Sequence, residues 1–182
     1  WLSFPNGIQK FDGRNFTAVP VQPGLPDDKS VFFFRCSNGD LFISHAQGIS
    51  KYEITGNRFT WFYTNSPGEK TPAMFIGEDD YNFYIYTVSG NITGINCHTL
   101  KTITETKSGI PGYAANNDYM PRLGNNIINH KTALLVNAAF YLWDLKKGKL
   151  LYKSDSIPGV SRPLMLKTEN ELLYSSYKTN YD

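Results

Sequence analysis

Asn6-Gly7-Ile8-Gln9-Lys10-Phe11-Asp12 returns 41 positions later as Gln47-Gly48-Ile49-Ser50-Lys51-Tyr52-Glu53. At the same offset Trp1-Leu2-Ser3 lies over Phe42-Ile43-Ser44. After a two-residue insertion, Gly13-Arg14-Asn15-Phe16-Thr17 returns as Gly56-Asn57-Arg58-Phe59-Thr60. So many like residues in one order mark an internal repeat, and the repeat decides the fold. Fainter copies follow. Asn82-Phe83-Tyr84-Ile85-Tyr86 with Gly90 tracks the Asp40-to-Gly48 stretch at an offset of 42. Leu134-Leu135-Val136, leading into Tyr141-Leu142-Trp143-Asp144-Leu145 and Gly148, tracks it at 93. Asn170-Glu171-Leu172-Leu173-Tyr174-Ser175-Ser176 tracks the Gly39-to-Ser44 stretch at about 131. Units therefore begin near 1, 42, 84, 135 and 173.

Within each unit the apolar residues come in short aromatic and β-branched runs bounded by Gly, Asn, Asp and Pro, which read as strands. No window carries a capped helical period. Strands alone at a spacing of roughly 40–50 residues predict an all-β chain, a β-propeller of about four four-stranded blades. The partial first and last units predict a piece of a larger ring, or a ring whose ends share a blade. In the clearest unit, residues 31–34 form the inner strand, followed by strands at 41–45, 49–54 and 58–63. Asn38-Gly39 is expected to supply the positive-φ pair of a tight hairpin turn.

The chain has 182 residues, 41% hydrophobic and 19% charged, which excludes disorder and coiled coil. Its 3 Trp, 12 Tyr and 12 Phe suit a fold whose blades bury aromatic faces against one another. A net charge of +2 leaves no electrostatic footprint for nucleic acid. No apolar run approaches the ~20 residues a membrane-spanning helix needs. Cys36 and Cys97 allow one disulfide, and the residues leave open whether it forms and in which compartment the chain works.

Residues 1–13, Phe16-Thr17 and Gly24-Leu25-Pro26-Asp27-Asp28-Lys29-Ser30-Val31 resemble a two-component regulator propeller repeat. The pattern resumes at Asn38-Gly39-Asp40-Leu41-Phe42-Ile43 and Gly48-Ile49-Ser50-Lys51-Tyr52-Glu53, so the resemblance covers 1 to about 63. Residues 141–152 look closer to a WD-type or quinoprotein-type blade. The chain departs from the family at Phe42, usually Trp, and at Ser44-His45, usually Gly-Thr. The resemblance implies an extracytoplasmic, membrane-anchored sensor region of a bacterial histidine kinase or hybrid regulator. Such a module is non-catalytic and detects a small molecule or oligosaccharide. It signals through the rest of its propeller and a downstream sandwich domain, in some cases as a homodimer. The rival classes are a WD-type protein-interaction scaffold and a propeller lyase or glycosidase.

No nucleophile elbow, His-Glu-x-x-His pattern or phosphate loop occurs, so no catalytic set, metal set or cofactor is expected. His45, His98 and His130 fall in different blades and read as surface or hydrogen-bonded loop residues. Glu78-Asp79-Asp80 reads as a solvated turn, short of a calcium loop. In a propeller the turns between second and third strands share one face with the links between blades, here 4–6, 20–29, 45–47, 64–71, 87–89 and 107–126. Loops on a rigid scaffold carry binding. His45, Gln47, Tyr113, Asn117, Asp118 and Arg122 are therefore the candidate ligand-binding residues, with Asn116 and Tyr119 beside them.

Overall fold

The computed structural model describes residues 1–4, 7–25, 32–112, 122–123, 127–137, 139–155, 165–168 and 171–173. Among them the chain is all β, with seventeen strands and no helix. The first sheet is the meander β1 (Leu2–Phe4), β2 (Gly7–Phe11) and β3 (Phe16–Val19). The second is β4 (Phe32–Arg35), β5 (Leu41–His45), β6 (Gly48–Glu53) and β7 (Arg58–Thr64). The third is β8 (Met74–Asp79), β9 (Asn82–Tyr86), β10 (Asn91–Asn96) and β11 (Thr102–Lys107). The fourth is β12 (Arg122–Leu123), β13 (Lys131–Val136), β14 (Ala139–Asp144) and β15 (Lys149–Lys153). β16 (Met165–Thr168) and β17 (Glu171–Leu173) pair as a fifth. Every neighbouring pair is antiparallel, so short turns suffice throughout. Repeat positions 42, 84, 135 and 173 fall in β5, β9, β13 and β17.

Consecutive sheets pack face to face, and alternation along each second strand decides what meets what. Phe42 points to the third sheet, where it joins Phe75, Phe83 and Ile85. Its neighbour Ile43 points the other way, to Ile8 and Leu25 of the first sheet and its link. On β9, Phe83 and Ile85 face the second sheet, while Tyr84 and Tyr86 face Leu134, Val136 and Tyr141 of the fourth. Both faces of these strands are thus buried, which is why their sequences read as unbroken apolar runs rather than alternating ones. Fourth strands behave differently: β11 and β15 are exposed nearly throughout. The first strands approach one another, β4 with β8 and β8 with β12. β7, the fourth strand of the second sheet, is intermediate, with Phe59 buried.

One turn differs from its expectation. Gly39 alone has positive φ, at 91°, and Asn38 does not. Asn38 instead uses its side chain, with Oδ1 accepting from the Asp40 N–H at 2.9 Å, which tightens the turn without a left-handed asparagine. Paired left-handed residues occur at Asp80-Tyr81 (φ 49° and 62°) and Asn129-His130 (49° and 61°) instead. Gly94 has a packing reason: it sits opposite Tyr84, and a Cβ there would stand 2.9 Å from the Tyr84 ring.

Phe83 contacts the rings of Phe34, Phe42, Phe62 and Phe75 with centroids 4.7–6.5 Å away. Phe83→Ala is expected to cost about 3–5 kcal/mol through the cavity it leaves. Phe16, 54% exposed and stacked only on Phe11, should cost under about 1 kcal/mol as alanine. Urea unfolding of the two variants checks the ranking, and equal losses would refute the packing scheme.

Candidate functional site

Two edges of the stacked sheets carry the polar chemistry. At one lie the turns between second and third strands together with the links between sheets. Asn65, in the link after β7, hydrogen-bonds through Nδ2 to the carbonyls of His45, Ala46 and Thr71. Glu69 accepts from the Ser89 N–H at 3.1 Å, tying the same link to the β9–β10 turn. Ser108 donates to the Gly90 carbonyl and Tyr86 to the Pro111 carbonyl, so the next link is held in the same manner.

His45 does not belong to a ligand-facing loop. It ends β5 at 0% exposure, its ring edge-on to Trp61 with centroids 5.4 Å apart. The Gln47 N–H donates to Nδ1 at 3.3 Å, so the neutral ring carries its proton on Nε2 and donates to Ser50 Oγ at 3.1 Å. Both nitrogens are thereby occupied inside the protein. Burial of both faces extends to the end of β5, so the candidate residue His45 is enclosed within the protein. Gln47 is exposed in the turn, its carbonyl accepting from the Asn65 N–H at 3.0 Å. Arg122 opens β12 opposite Leu135, near the turn that follows β13, and so belongs to this edge by register. Tyr113, Asn116, Asn117, Asp118 and Tyr119 lie outside the described residues.

No protein-family model and no curated protein matches the chain. The likeness in residues 1–63 stands on those residues alone.

The opposite edge gathers the turns between first and second strands and between third and fourth. Cys36, after β4, forms a disulfide with Cys97, after β10, across 61 residues and between the second and third sheets. Glu78 reinforces the seam: its carboxylate accepts from the Ser37 N–H at 2.6 Å and the Ser37 hydroxyl at 2.8 Å. Cys36, Glu78 and Cys97 bring ligand atoms within 4.8 Å of one another, but the disulfide occupies both sulfurs. The neighbouring carboxylates serve the next seam. Asp79 contacts His130 Nδ1, and Asp80 Oδ2 lies 3.9 Å from the same nitrogen. The expected solvated turn is therefore split three ways, with only Asp80 largely in water. Nothing in the sequence spacing joins Asp79 to His130, 51 residues apart; packing of β8 beside β12 does.

Two phenols of β9, Tyr84 and Tyr86, are perturbed between these edges. Burial, then the nearby Asp79 and Asp80 carboxylates, push Tyr84 up to about 12. Burial, then Tyr141, pushes Tyr86 up as well. The folded state holds these protons more tightly than the unfolded chain does. Their contribution is therefore complete below pH 10 and is lost as pH rises towards 12.

Two outcomes are expected. Cys36→Ser with Cys97→Ser should lower stability by about 4 kcal/mol, the loop-closure estimate for a bridge of this span. A reductant should shift the urea midpoint of the parent chain and not of the double variant. Between pH 9 and 11.5 the urea midpoint should fall, and Tyr84→Phe should flatten that fall. A fall of unchanged steepness in the variant would assign the pH dependence elsewhere.

Proposed function

We propose that the chain is a run of β-propeller blades acting as a non-catalytic recognition module in an oxidising, extracytoplasmic compartment, the ligand-sensing part of a two-component receptor. The observation that carries the reading is the packing of consecutive antiparallel sheets through both faces, with the first strands β4, β8 and β12 approaching one another and β11 and β15 exposed. A rigid stack of that kind leaves turns and links as the adaptable surface. The Cys36–Cys97 bridge supports the compartment, since such bonds persist where thiols are not kept reduced. The two-component likeness of residues 1–63 supports the receptor context.

A small molecule or oligosaccharide would bind at the edge formed by 45–47, 64–71, 87–89 and 108–112, with Arg122 at the start of β12. It would signal by favouring one orientation of the module relative to the rest of the receptor, which requires different affinity for the two orientations. A panel of oligosaccharides and small metabolites, read by thermal shift of the purified chain, tests the reading. At least one class should raise the melting temperature, and Gln47→Ala or Arg122→Ala should weaken that ligand at least tenfold. A ligand insensitive to both substitutions, or a panel without stabilisers, would overturn it.

A further inference from the structure

We propose that Asp79, Asp80 and His130 bind a borderline divalent cation of the Zn2+ type, clamping the third sheet to the fourth. Acidic residues in a turn are ordinarily solvated, and Glu78-Asp79-Asp80 alone would be no exception. What changes the reading is an imidazole brought to them from another sheet. His130 directs one atom, Nδ1, at both carboxylates, touching Asp79 and standing 3.9 Å from Asp80 Oδ2. All three residues place a ligand atom within 4.8 Å of the others.

A small ion asks for a modest adjustment of these donors. Donors about 2.0–2.2 Å from a tetrahedral centre stand roughly 3.4 Å apart. Asp80 Oδ2, 3.9 Å from Nδ1 and on a side chain 78% exposed, has room to turn inward, and Asp79, in direct contact with Nδ1, would draw back to admit the ion. Charge points the same way. Among the described residues no lysine or arginine pairs with Asp79 or Asp80; their ion-pair partner is His130. As a ligand the imidazole is neutral, so two negative charges face the gap and a dication balances them.

Neighbouring donors are already engaged. Glu78 is held by Ser37, the cysteines by each other, and Asn82 Oδ1 by the Asn96 Nδ2 group. His98 lies against Tyr81, with centroids 5.4 Å apart, and is the one nearby imidazole to control for. Calcium and magnesium prefer all-oxygen shells, whereas an imidazole beside carboxylates favours zinc and its neighbours in the transition series. Solvent on the outer side of Asp80 supplies water for the remaining position. The inference is independent of the sensor reading, because it concerns the other edge of the sheets.

The competing reading is a plain ion pair between His130 and Asp79. It engages Asp79 directly and Asp80 only at 3.9 Å, and it keeps a proton between Nδ1 and Asp79 where a metal needs the bare nitrogen. Calorimetric titration of the oxidised chain with ZnCl2 at pH 7.5, without reductant, separates the two. One saturable site with a raised melting temperature is expected, and neither CaCl2 nor MgCl2 should reproduce it. His130→Gln and Asp80→Asn should each weaken Zn2+ at least tenfold, and His98→Gln should change it less than twofold. Asp80→Asn keeps the fold testable, since the side chain is exposed and asparagine tolerates its φ of 49°. At pH 5.5 protons compete and affinity should drop at least tenfold. Absence of saturable binding, or binding indifferent to Asp80→Asn, would overturn the proposal.

Discussion

Burial of both faces of the second strands is the constraint on which the rest depends. Phe42 with Ile43, and Phe83 with Tyr84, send adjacent side chains into opposite inter-sheet cores. A single meander with two apolar faces cannot be stable in water by itself, so each sheet requires its neighbours. From that follow the face-to-face stacking, the approach of the first strands and the exposure of β11 and β15. It also explains the aromatic surplus: rings fill a wide gap between sheets and gain from tilted and edge-on contacts that smaller residues lack.

Strand placement was legible in the sequence for the same reason. A doubly buried strand reads as an uninterrupted run, and the run 41–45 coincides with β5. The repeat supplied the period, so even the weak copies near 135 and 173 fall within strands. Side-chain roles were much less legible. Asn38-Gly39 has the composition of a turn with two left-handed residues, but the Asn38 side chain stabilised a turn with one. The chain finds left-handed pairs at Asp80-Tyr81 and Asn129-His130 with no glycine to announce them.

His45 shows how far a local reading reaches. Its place before Gln47-Gly48 marks the end of a strand, where a polar residue is ordinarily wet. Only the position of Trp61 and Ser50, brought by β6 and β7, decides that the imidazole is enclosed and doubly hydrogen-bonded. Cys36 with Cys97, and Asp79 with His130, lie beyond a sequence reading for a related reason. Their separations, 61 and 51 residues, exceed one repeat and reflect which sheet packs on which.

The two edges of the stack consequently differ in kind. Where first strands turn into second, bonds cross directly from sheet to sheet: a disulfide, the Ser37–Glu78 pair and the Asp79–His130 contact. Such links set the angle between neighbouring sheets and resist their sliding. At the other edge the links are held mainly to backbone carbonyls and amides, through Asn65, Glu69, Ser108 and Tyr86. Backbone anchoring constrains the course of a loop while leaving its side chains available to vary. A scaffold fastened by side chains on one edge and by main chain on the other confines side-chain variation to the second, the edge on which the proposed recognition surface lies.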